Sequence, residues 1–275
     1  MDANMEPDFL DRYQRQLSLR EVGIPGQRAL RAARVMIVGL GGLGCPALQY
    51  LAAAGVGKLV LVDEDVVSLS NLHRQTLYTP EDVGQKKVDV AARWVLSMNS
   101  SLDVVAIPDM FQKSDSQSFL NEVDLVVDST DNFTARYAIN DACAAAGIPW
   151  VYGSISKFEG QVSVFNVPLL DGIQVQSDSN EHSSVSTEET EQSAPQTQRF
   201  SLNYRDVFPN PPAAGEVQNC AESGVLGALA GIVGSMQAME ALKYILKTEG
   251  LLVNQLLTYD AMHHRLVKFS LNKLR

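Results

Sequence analysis

The first half of the chain alternates short, continuously apolar runs with segments in which apolar residues recur at helical spacing. Residues 35–38 are apolar throughout, and 58–63 form a second apolar strand that begins with Lys58 and ends in an acid, as is typical of parallel strands that are covered on both faces. An alanine-rich segment between them, residues 46–55, predicts a helix, and an amphipathic segment at 17–33 precedes the first strand. This order predicts a βαβ unit.

The same alternation continues to about residue 150. Residues 82–98 and 134–146 show helical spacing, and the second segment is ended by Gly147. Residues 104–107 and 123–128 predict two further strands, of which the second closes on an acid. The first half of the chain therefore predicts a parallel sheet with helices packed on its faces.

The pattern changes after residue 153. Residues 161–167 partly alternate, which predicts a mixed or antiparallel strand, and 256–259 with 266–269 predict a closing hairpin. Between these strands, residues 224–246 predict a nearly all-apolar helix. The fold class expected for the whole chain is α/β: a Rossmann-like doubly wound sheet, parallel in its first half, with mixed or antiparallel strands in its C-terminal half.

One long segment lacks apolar residues. Residues 177–199 are mostly Ser, Thr, Glu, Gln and Asp, too polar to bury surface, so we expect a mobile loop there. Because 275 residues, 45 % of them hydrophobic, can bury a full core, the chain is expected to form a single domain over residues 1–275, with a flexible crossover loop at about 170–220.

Composition narrows the possible environment and partners. The chain has 275 residues and a net charge of -10, which argues against broad binding of nucleic acid or of an anionic membrane. No apolar run is long enough to span a membrane, and the acidic N-terminus does not resemble a signal peptide. Three cysteines far apart predict no disulfide framework, and we expect Cys45 and Cys143 in the core and the protein in the cytoplasm.

A glycine motif follows the first strand. Gly39-x-Gly41-x-x-Gly44 opens the predicted helix at 46–55, where backbone N–H groups and the helix dipole can hold phosphate oxygens. Asp63 ends the next strand, where a carboxylate can meet a ribose hydroxyl. The motif predicts a nucleotide site but does not separate NAD from ATP.

Two further segments add charges that a dehydrogenase does not need. Arg74 lies after the second strand, Lys87 begins a predicted helix, and Asp131 follows the strand that ends at Asp128. A carboxylate that attacks the α-phosphate of ATP approaches another anion, so the site needs several cations, Mg²⁺ among them. The three segments together predict a site that joins AMP to a carboxylate.

Each of these residues also has a simpler interpretation. Lys86 and Lys87 could both be solvated, although cations at a helix start oppose its dipole, which indicates another role for one of them. Arg74 could form a surface ion pair. Asp128 and Asp131 could cap the following helix, and Asp131 could serve both purposes.

These motifs resemble the MoeB/ThiF/HesA family of ubiquitin-activating-like adenylyltransferases, and most closely its molybdopterin-synthase branch, over nearly the whole chain. The resemblance implies ATP-dependent adenylation of the C-terminal Gly-Gly carboxylate of a small ubiquitin-like sulfur-carrier protein. Pyrophosphate would leave, and a separate sulfur donor protein would then supply the thiocarboxylate. The implied nucleotide-binding residues are Gly39, Gly41, Gly42, Gly44, Asp63, Asp65, Ser70, Asn71, Arg74, Gln75, Lys87, Asp131 and Asn132.

The resemblance also implies particular roles. Asp131 would hold Mg²⁺, and Arg74 and Lys87 would serve catalysis at the phosphates. Arg15 matches an arginine that reaches the active site from the partner subunit, so a homodimer is implied. Cys220 matches a loop cysteine, for which a covalent role and a packing role are equally weighted.

One family feature is missing from the sequence. Relatives commonly hold a structural zinc with two Cys-x-x-Cys pairs, but the first pair's position here carries Asn203 and Asp206, and no second pair follows. These side chains are poor zinc ligands without thiolates, so no zinc site is predicted.

Two other functions remain open from the sequence. An NAD-dependent Rossmann dehydrogenase would leave Arg74, Lys87 and Asp131 unexplained. A non-catalytic scaffold that binds the carrier would fit the loss of the zinc cysteines but not the charged residues of the site. The pathway also stays open among molybdenum-cofactor, thiamine, tRNA-thiolation and secondary-metabolite sulfur transfer.

Overall fold

The computed structural model describes residues 7–111, 119–169, 199–212 and 224–274. Its strands are β1 (Arg34–Val38), β2 (Lys58–Val62), β3 (Asp103–Ile107), β4 (Leu125–Asp128), β5 (Trp150–Ser156), β6 (Glu159–Phe165), β7 (Pro168–Leu169), β8 (Arg199–Phe200), β9 (Gln255–Asp260) and β10 (Arg265–Ser270). Its α-helices are α1 (Pro7–Leu17), α2 (Gly23–Ala32), α3 (Gly44–Ala54), α4 (Lys87–Met98), α5 (Phe133–Ala146), α6 (Tyr204–Val207) and α7 (Gly227–Leu246).

Eight of the strands form one sheet in the order β10-β9-β6-β5-β4-β1-β2-β3, and β7 pairs separately with β8. Strands β1 to β5 pair in parallel, whereas β6, β9 and β10 are antiparallel to their neighbours. The predicted doubly wound sheet with an antiparallel C-terminal half is confirmed, and so is the closing hairpin.

The central strand β1 marks the point where the strand order reverses. From β1 the chain moves to β2 and β3 on one side and then returns to β4 and β5 on the other. In open α/β sheets the crevice at such a switch point, outside the carboxyl ends of the strands, is where ligands bind.

Both faces of the sheet are buried at its central strands, which explains why β1, β2 and β4 are mostly apolar. Val35 and Ile37 of β1 lie in a core with residues of α3, α4 and α7, whereas Met36 and Val38 lie in a second core with residues of α5 and α6. Successive side chains of a strand point to opposite faces, so each face receives every second residue.

Two predicted helices have different limits in the structure. The segment 17–33 is not one helix, because the chain turns at residues 18–22 between α1 and α2, and Gly23 has a φ of +50°. The helix predicted from residue 82 begins only at Lys87, since Gly84 has a φ of +89°. Apolar spacing alone does not register these left-handed turns.

Part of the 170–220 segment belongs to the described structure. Residues 199–212 contain β8 and α6. Of the predicted mobile loop at 177–199, Arg199 belongs to β8 and the other residues lie outside the described ranges. Within the described ranges no helix is long and apolar enough to cross a membrane.

Candidate nucleotide site

A cleft of 620 Å³ opens at the carboxyl ends of β1, β2 and β4. It is bounded by the glycine turn after β1, the acidic end of β2, residues 70–75 and the loop between β4 and α5. The cleft therefore lies at the switch point of the sheet. The predicted site residues that line it are Gly39, Gly41, Gly42, Asp63, Asp65, Ser70, Asn71, Arg74, Gln75, Lys87, Asp131 and Asn132.

The glycine turn depends on two close backbone approaches. Gly39 has a φ of +88°, and a Cβ atom there would lie 2.8 Å from the backbone oxygen of Ser129. A Cβ atom on Gly44 would lie 2.0 Å from the oxygen of Gly39. Gly44 is not among the residues that line the cleft, and its close approach to Gly39 closes the turn. In the described structure no side chain caps the start of α3, but Cys45 N donates to the oxygen of Gly41 at 3.0 Å and Pro46 has no N–H. The N–H groups that can meet an anion are therefore those of the glycine turn just before them.

Lys87 lies between two carboxylates at the end of β2. Its Nζ atom donates to Asp65 Oδ2 at 2.6 Å and lies 3.9 Å from Asp63 Oδ2. The Lys87 side chain is only 4 % exposed, whereas Asp65 is 64 % exposed. Lys86 instead donates from Nζ to the backbone oxygen of Glu64 and does not line the cleft. Of the two lysines, Lys87 is therefore the one whose position fits a role beyond solvation.

Asp63 is held in place by the backbone. Its two oxygens accept hydrogen bonds from the N–H groups of Leu40 and Asp65 at 2.6 and 2.9 Å. The carboxylate is therefore fixed at the point where β2 enters the cleft.

Arg74 and Gln75 face the glycine turn from the opposite side. Arg74 Nη1 donates to the backbone oxygen of Ser70 at 3.1 Å and to His73 Nε2 at 2.9 Å. A Cβ atom on Gly42 would lie 3.5 Å from Arg74 Cγ, so the arginine stem packs closely against the turn. Gln75 is buried, and its Oε1 atom has no hydrogen-bond partner among the described residues, which leaves an acceptor at the cleft wall.

The loop between β4 and α5 presents Asp131 to the cleft. The alternative that Asp128 or Asp131 caps α5 is wrong, because Asn132 is the cap and its Oδ1 atom accepts from Ala135 N at 2.8 Å. Asp128 is fully buried and pairs with Arg136. Asp131 is exposed in the cleft.

Two predicted catalytic residues do not line the cleft. Arg15 lies on α1, where its side chain is exposed. Cys220 lies outside the described residues. Cys45 and Cys143 are buried, as expected, and burial raises the pKa of Cys45 to about 12 and that of Cys143 further.

Further residues that line the cleft were not singled out from the sequence. Asp109, Met110 and Phe111 follow β3, and Ser154 and Ile155 belong to β5. Their position after the end of a parallel strand was the available signal for the first three. The other two could not be found in this way, because they lie inside a strand.

The position of the missing zinc ligands is filled by a short helix. The side chains of Asn203 and Asp206 bond to backbone N–H groups at the start of α6. Tyr204 is buried among the rings of Tyr137, Trp150, Tyr152, Phe165 and Phe208. Both Nε and Nη2 of Arg205 donate to the carboxylate of Asp141. Asn203 and Asp206 therefore do not fit a zinc site, and aromatic and polar contacts brace this segment.

Resident metal ligands are absent from the described part of the chain, in which no three His, Cys, Asp or Glu side chains are grouped to hold an ion. A single carboxylate such as Asp131 does fit Mg²⁺ that arrives with a nucleotide, since Mg²⁺ is usually bound by one or two carboxylates together with substrate phosphates and water.

The doubly wound sheet, the glycine turn and the cations around it define a nucleotide-binding enzyme of Rossmann-like architecture. The chain belongs to the ThiF family, whose model matches residues 13–275. It is an adenylyltransferase of the MoeB/ThiF type.

Relatives with related names cover most of the chain. It is 43 % identical over 264 residues to the sulfur carrier protein adenylyltransferase of Thermus thermophilus. The aligned region covers 96 % of this chain and 88 % of that protein. It is 42 % identical over 262 residues to the SAMP-activating enzyme E1 of Haloferax volcanii, and the aligned region covers 95 % of this chain and 85 % of that protein. Among solved structures, E. coli MccB with AMPCPP and MccA superposes with a TM-score of 0.73 at 20 % identity, covering 98 % of this chain and 73 % of MccB, which shows the shared fold.

Proposed function

We propose that this enzyme adenylates the C-terminal Gly-Gly carboxylate of a small ubiquitin-like sulfur-carrier protein. A carboxylate oxygen bonds to the α-phosphorus of ATP, the bond from that phosphorus to the bridging oxygen breaks, and pyrophosphate leaves with the electron pair. The product is a mixed anhydride of the carrier and AMP. Sulfur from a separate sulfur donor protein would then bond to the carbonyl carbon while the bond from that carbon to AMP breaks, so that AMP leaves and the thiocarboxylate remains. The names of the relatives in T. thermophilus and H. volcanii support this substrate class.

The observation that carries the proposal is that two cations, Arg74 and Lys87, line the same cleft as the glycine turn and Asp131. The other acids that line the cleft are Asp63, Glu64, Asp65 and Asp109, so its protein charge is not positive. An attack by one anion on another there depends on these two cations and on Mg²⁺ brought with the nucleotide, whereas hydride transfer needs neither.

Each part of the nucleotide has residues of suitable chemistry. The N–H groups of the glycine turn that leads into α3 suit phosphate oxygens, and Asp63 suits a ribose hydroxyl. Arg74, Lys87 and Asn71 suit the triphosphate. Mg²⁺ bound with ATP would be held by Asp131 and would neutralise phosphate charge.

The second subunit would complete the site. Arg15 is remote from the cleft of its own chain but exposed on α1, as a residue that serves the cleft of a partner must be. A guanidinium is permanently charged and binds phosphate in a planar, bidentate manner. A homodimer in which each Arg15 serves the other cleft follows from this role.

The whole chain would act as one adenylation domain. We include residues 170–220 as its crossover segment, and Cys220 as a candidate for a covalent step whose alternative is packing. In this arrangement the carrier is the only protein substrate of the adenylation step.

The test is ATP–pyrophosphate exchange by the purified protein with candidate Gly-Gly carriers from the same genome, offered one at a time. Exchange with one carrier, lost when its terminal glycine is deleted, is the expected result. Tight ATP binding without exchange for any carrier contradicts a carrier substrate and favours a peptide. Failure to bind ATP contradicts the enzyme assignment altogether.

A further inference from the structure

A buried ion pair lies beneath the loop that joins β4 to α5. The Asp128 side chain is 0 % exposed and that of Arg136 is 5 % exposed, with Arg136 Nε 3.3 Å from Asp128 Oδ2. Burial raises the pKa of Asp128, against the opposing attraction of Arg136. A buried ion pair is weak evidence for stability, because both ions lose their hydration and apolar replacements are often as stable. Its position under this loop indicates a different role.

The pair fixes the loop backbone from below. Asp128 Oδ1 accepts from the backbone N and the Oγ1 of Thr130 at 2.9 and 2.6 Å. Arg136 Nη2 donates to the backbone oxygens of Thr130 at 3.1 Å and of Gly153 at 3.3 Å. The guanidinium also lies 4.8 Å from the centre of the Tyr152 ring. One arginine thus joins the end of β4, the loop and β5.

Helix α7 fixes the same loop from the other side. Gln237 Nε2 donates to the backbone oxygen of Asp128 at 2.6 Å, and Ser129 Oγ donates to Gln237 Oε1 at 3.4 Å. A Cβ atom on Gly153 would lie 2.3 Å from Gln237 Cδ, so a glycine is needed for this approach. Ser129 N donates to the oxygen of Val38 at 2.9 Å. The loop is therefore held against β1, β5 and α7 together.

Asp131 is the member of this loop whose side chain remains available. Asn132 is used as the cap of α5, and Thr130 bonds to Asp128. The Asp131 carboxylate lines the cleft and has no hydrogen-bond partner within the described ranges. Its position is consequently set by the backbone on either side and not by contacts of its own.

We infer that Asp128 and Arg136 are positioning residues, whose buried pair holds residues 129–132 so that Asp131 meets the Mg²⁺ carried by ATP. The inference rests on the proposed adenylation function and deepens it, because neither residue touches the substrate. It predicts that damage to the pair weakens the contribution of Mg²⁺ to nucleotide binding while leaving metal-free binding intact.

The test is calorimetric titration of the full-length protein with a non-hydrolysable ATP analogue, with and without Mg²⁺. The readout is the Kd without Mg²⁺ divided by the Kd with Mg²⁺, which measures how much Mg²⁺ strengthens nucleotide binding. Arg136→Lys keeps the charge, but one ammonium group cannot replace the fork that reaches Asp128, Thr130 and Gly153. The ratio is expected to fall by about tenfold, as for other residues that orient a metal ligand, with the metal-free Kd unchanged.

Two further variants separate the possible causes. Ala144→Gly weakens the exposed side of the same helix without touching the pair, and the wild-type ratio is expected. Asp131→Asn should abolish the effect of Mg²⁺. If Asp131→Asn keeps the wild-type ratio, the proposed Mg²⁺ role fails and this inference with it. If Asp131→Asn loses the effect but Arg136→Lys does not, the positioning role alone is overturned.

An apolar replacement tests the pair without leaving a buried charge. The triple variant Asp128→Leu, Thr130→Val, Arg136→Met is expected to lose the Mg²⁺ effect. Its unfolding temperature is expected to fall, because the N–H of Thr130 and the oxygens of Thr130 and Gly153 lose their partners, so the titration is made well below that temperature. A wild-type Mg²⁺ effect in this variant would exclude a positioning role and overturn the inference.

Discussion

Replacement of Lys87 by methionine removes one buried cation from the cleft and little else. Methionine keeps the unbranched shape of the lysine stem, and the side chain is only 4 % exposed. Asp63 keeps its hydrogen bonds from the N–H groups of Leu40 and Asp65, so its charge does not become unpartnered. The variant is therefore expected to fold.

The effects on stability and on activity should differ greatly. Because Asp65 is 64 % exposed, solvent screens its pairing with Lys87, and we expect the loss of that pair to lower the free energy of unfolding by about 1 kcal/mol or less. A phosphate about 4 Å from the ammonium loses about 4 kcal/mol of attraction at an effective dielectric constant near 20. If that attraction develops in the transition state, kcat/KM falls by about a thousandfold.

The assay is carrier-dependent ATP–pyrophosphate exchange, with denaturant unfolding of the same preparations. The matched control is Lys86→Met, the same substitution one position earlier, because Lys86 is exposed and does not line the cleft. We expect the control to stay within about twofold of wild type, as for an ordinary surface change. If Lys87→Met retains exchange within tenfold of wild type, or if both lysine variants lose it equally, the electrostatic reasoning is refuted.

Three further predictions concern Arg15, the cysteines and α6. Inactive Arg15→Ala and Lys87→Met homodimers, mixed so that they exchange subunits, should regain about a quarter of the wild-type activity. Half of the randomly formed dimers are then mixed, and each of these carries one complete site of two. No recovery would place Arg15 outside the partner's site. Burial raises the pKa of Cys45 to about 12 and raises that of Cys143, so a thiol reagent at pH 8 should modify neither residue in the folded protein and both after denaturation. Peptide mass analysis locates the modified residues, and rapid modification of either cysteine in the folded protein would contradict its burial. Tyr204→Ala should lower the free energy of unfolding by about 3–5 kcal/mol in denaturant titrations, because the ring is buried. EDTA should leave the unfolding temperature of the wild type unchanged, and a fall with EDTA would indicate a structural metal.

The central strands of the sheet could be predicted because they are buried on both faces. Residues 35–38 and 59–62 are apolar throughout, and each run is followed by the glycine or the acid that the site needs. Chain order alone then places the ends of β1, β2 and β4 at one edge. The cleft follows from these local signals, without any knowledge of long-range packing.

The remaining features of the site depend on long-range contacts, which the spacing of apolar residues along the chain does not indicate. Arg136 lies on a helix and Asp128 at the end of a strand, and only the fold shows that they pair beneath the loop. Gln237 reaches the same loop from 108 positions beyond Ser129. Asn132 caps α5, where Asp128 or Asp131 was an alternative from the sequence, because Asn and Asp side chains can both accept a hydrogen bond from the same N–H group.

The replacement of the zinc ligands shows the same limit. The sequence indicates the loss of the cysteines, but not that a buried tyrosine and an Arg205–Asp141 pair brace the segment instead. Aromatic residues distant in sequence form this cluster, and their spacing carries no signal of it.

The central claim is that a carrier carboxylate becomes bonded to AMP, and trapping that bond tests it most directly. Hydroxylamine added to enzyme, ATP, Mg²⁺ and the carrier should convert the mixed anhydride into a hydroxamate on the terminal glycine, located by mass spectrometry of the C-terminal peptide. The account predicts this product only when ATP and active enzyme are both present, and its loss with Lys87→Met. An unmodified carrier terminus, despite bound ATP and a carrier that forms a complex with the enzyme, would contradict it.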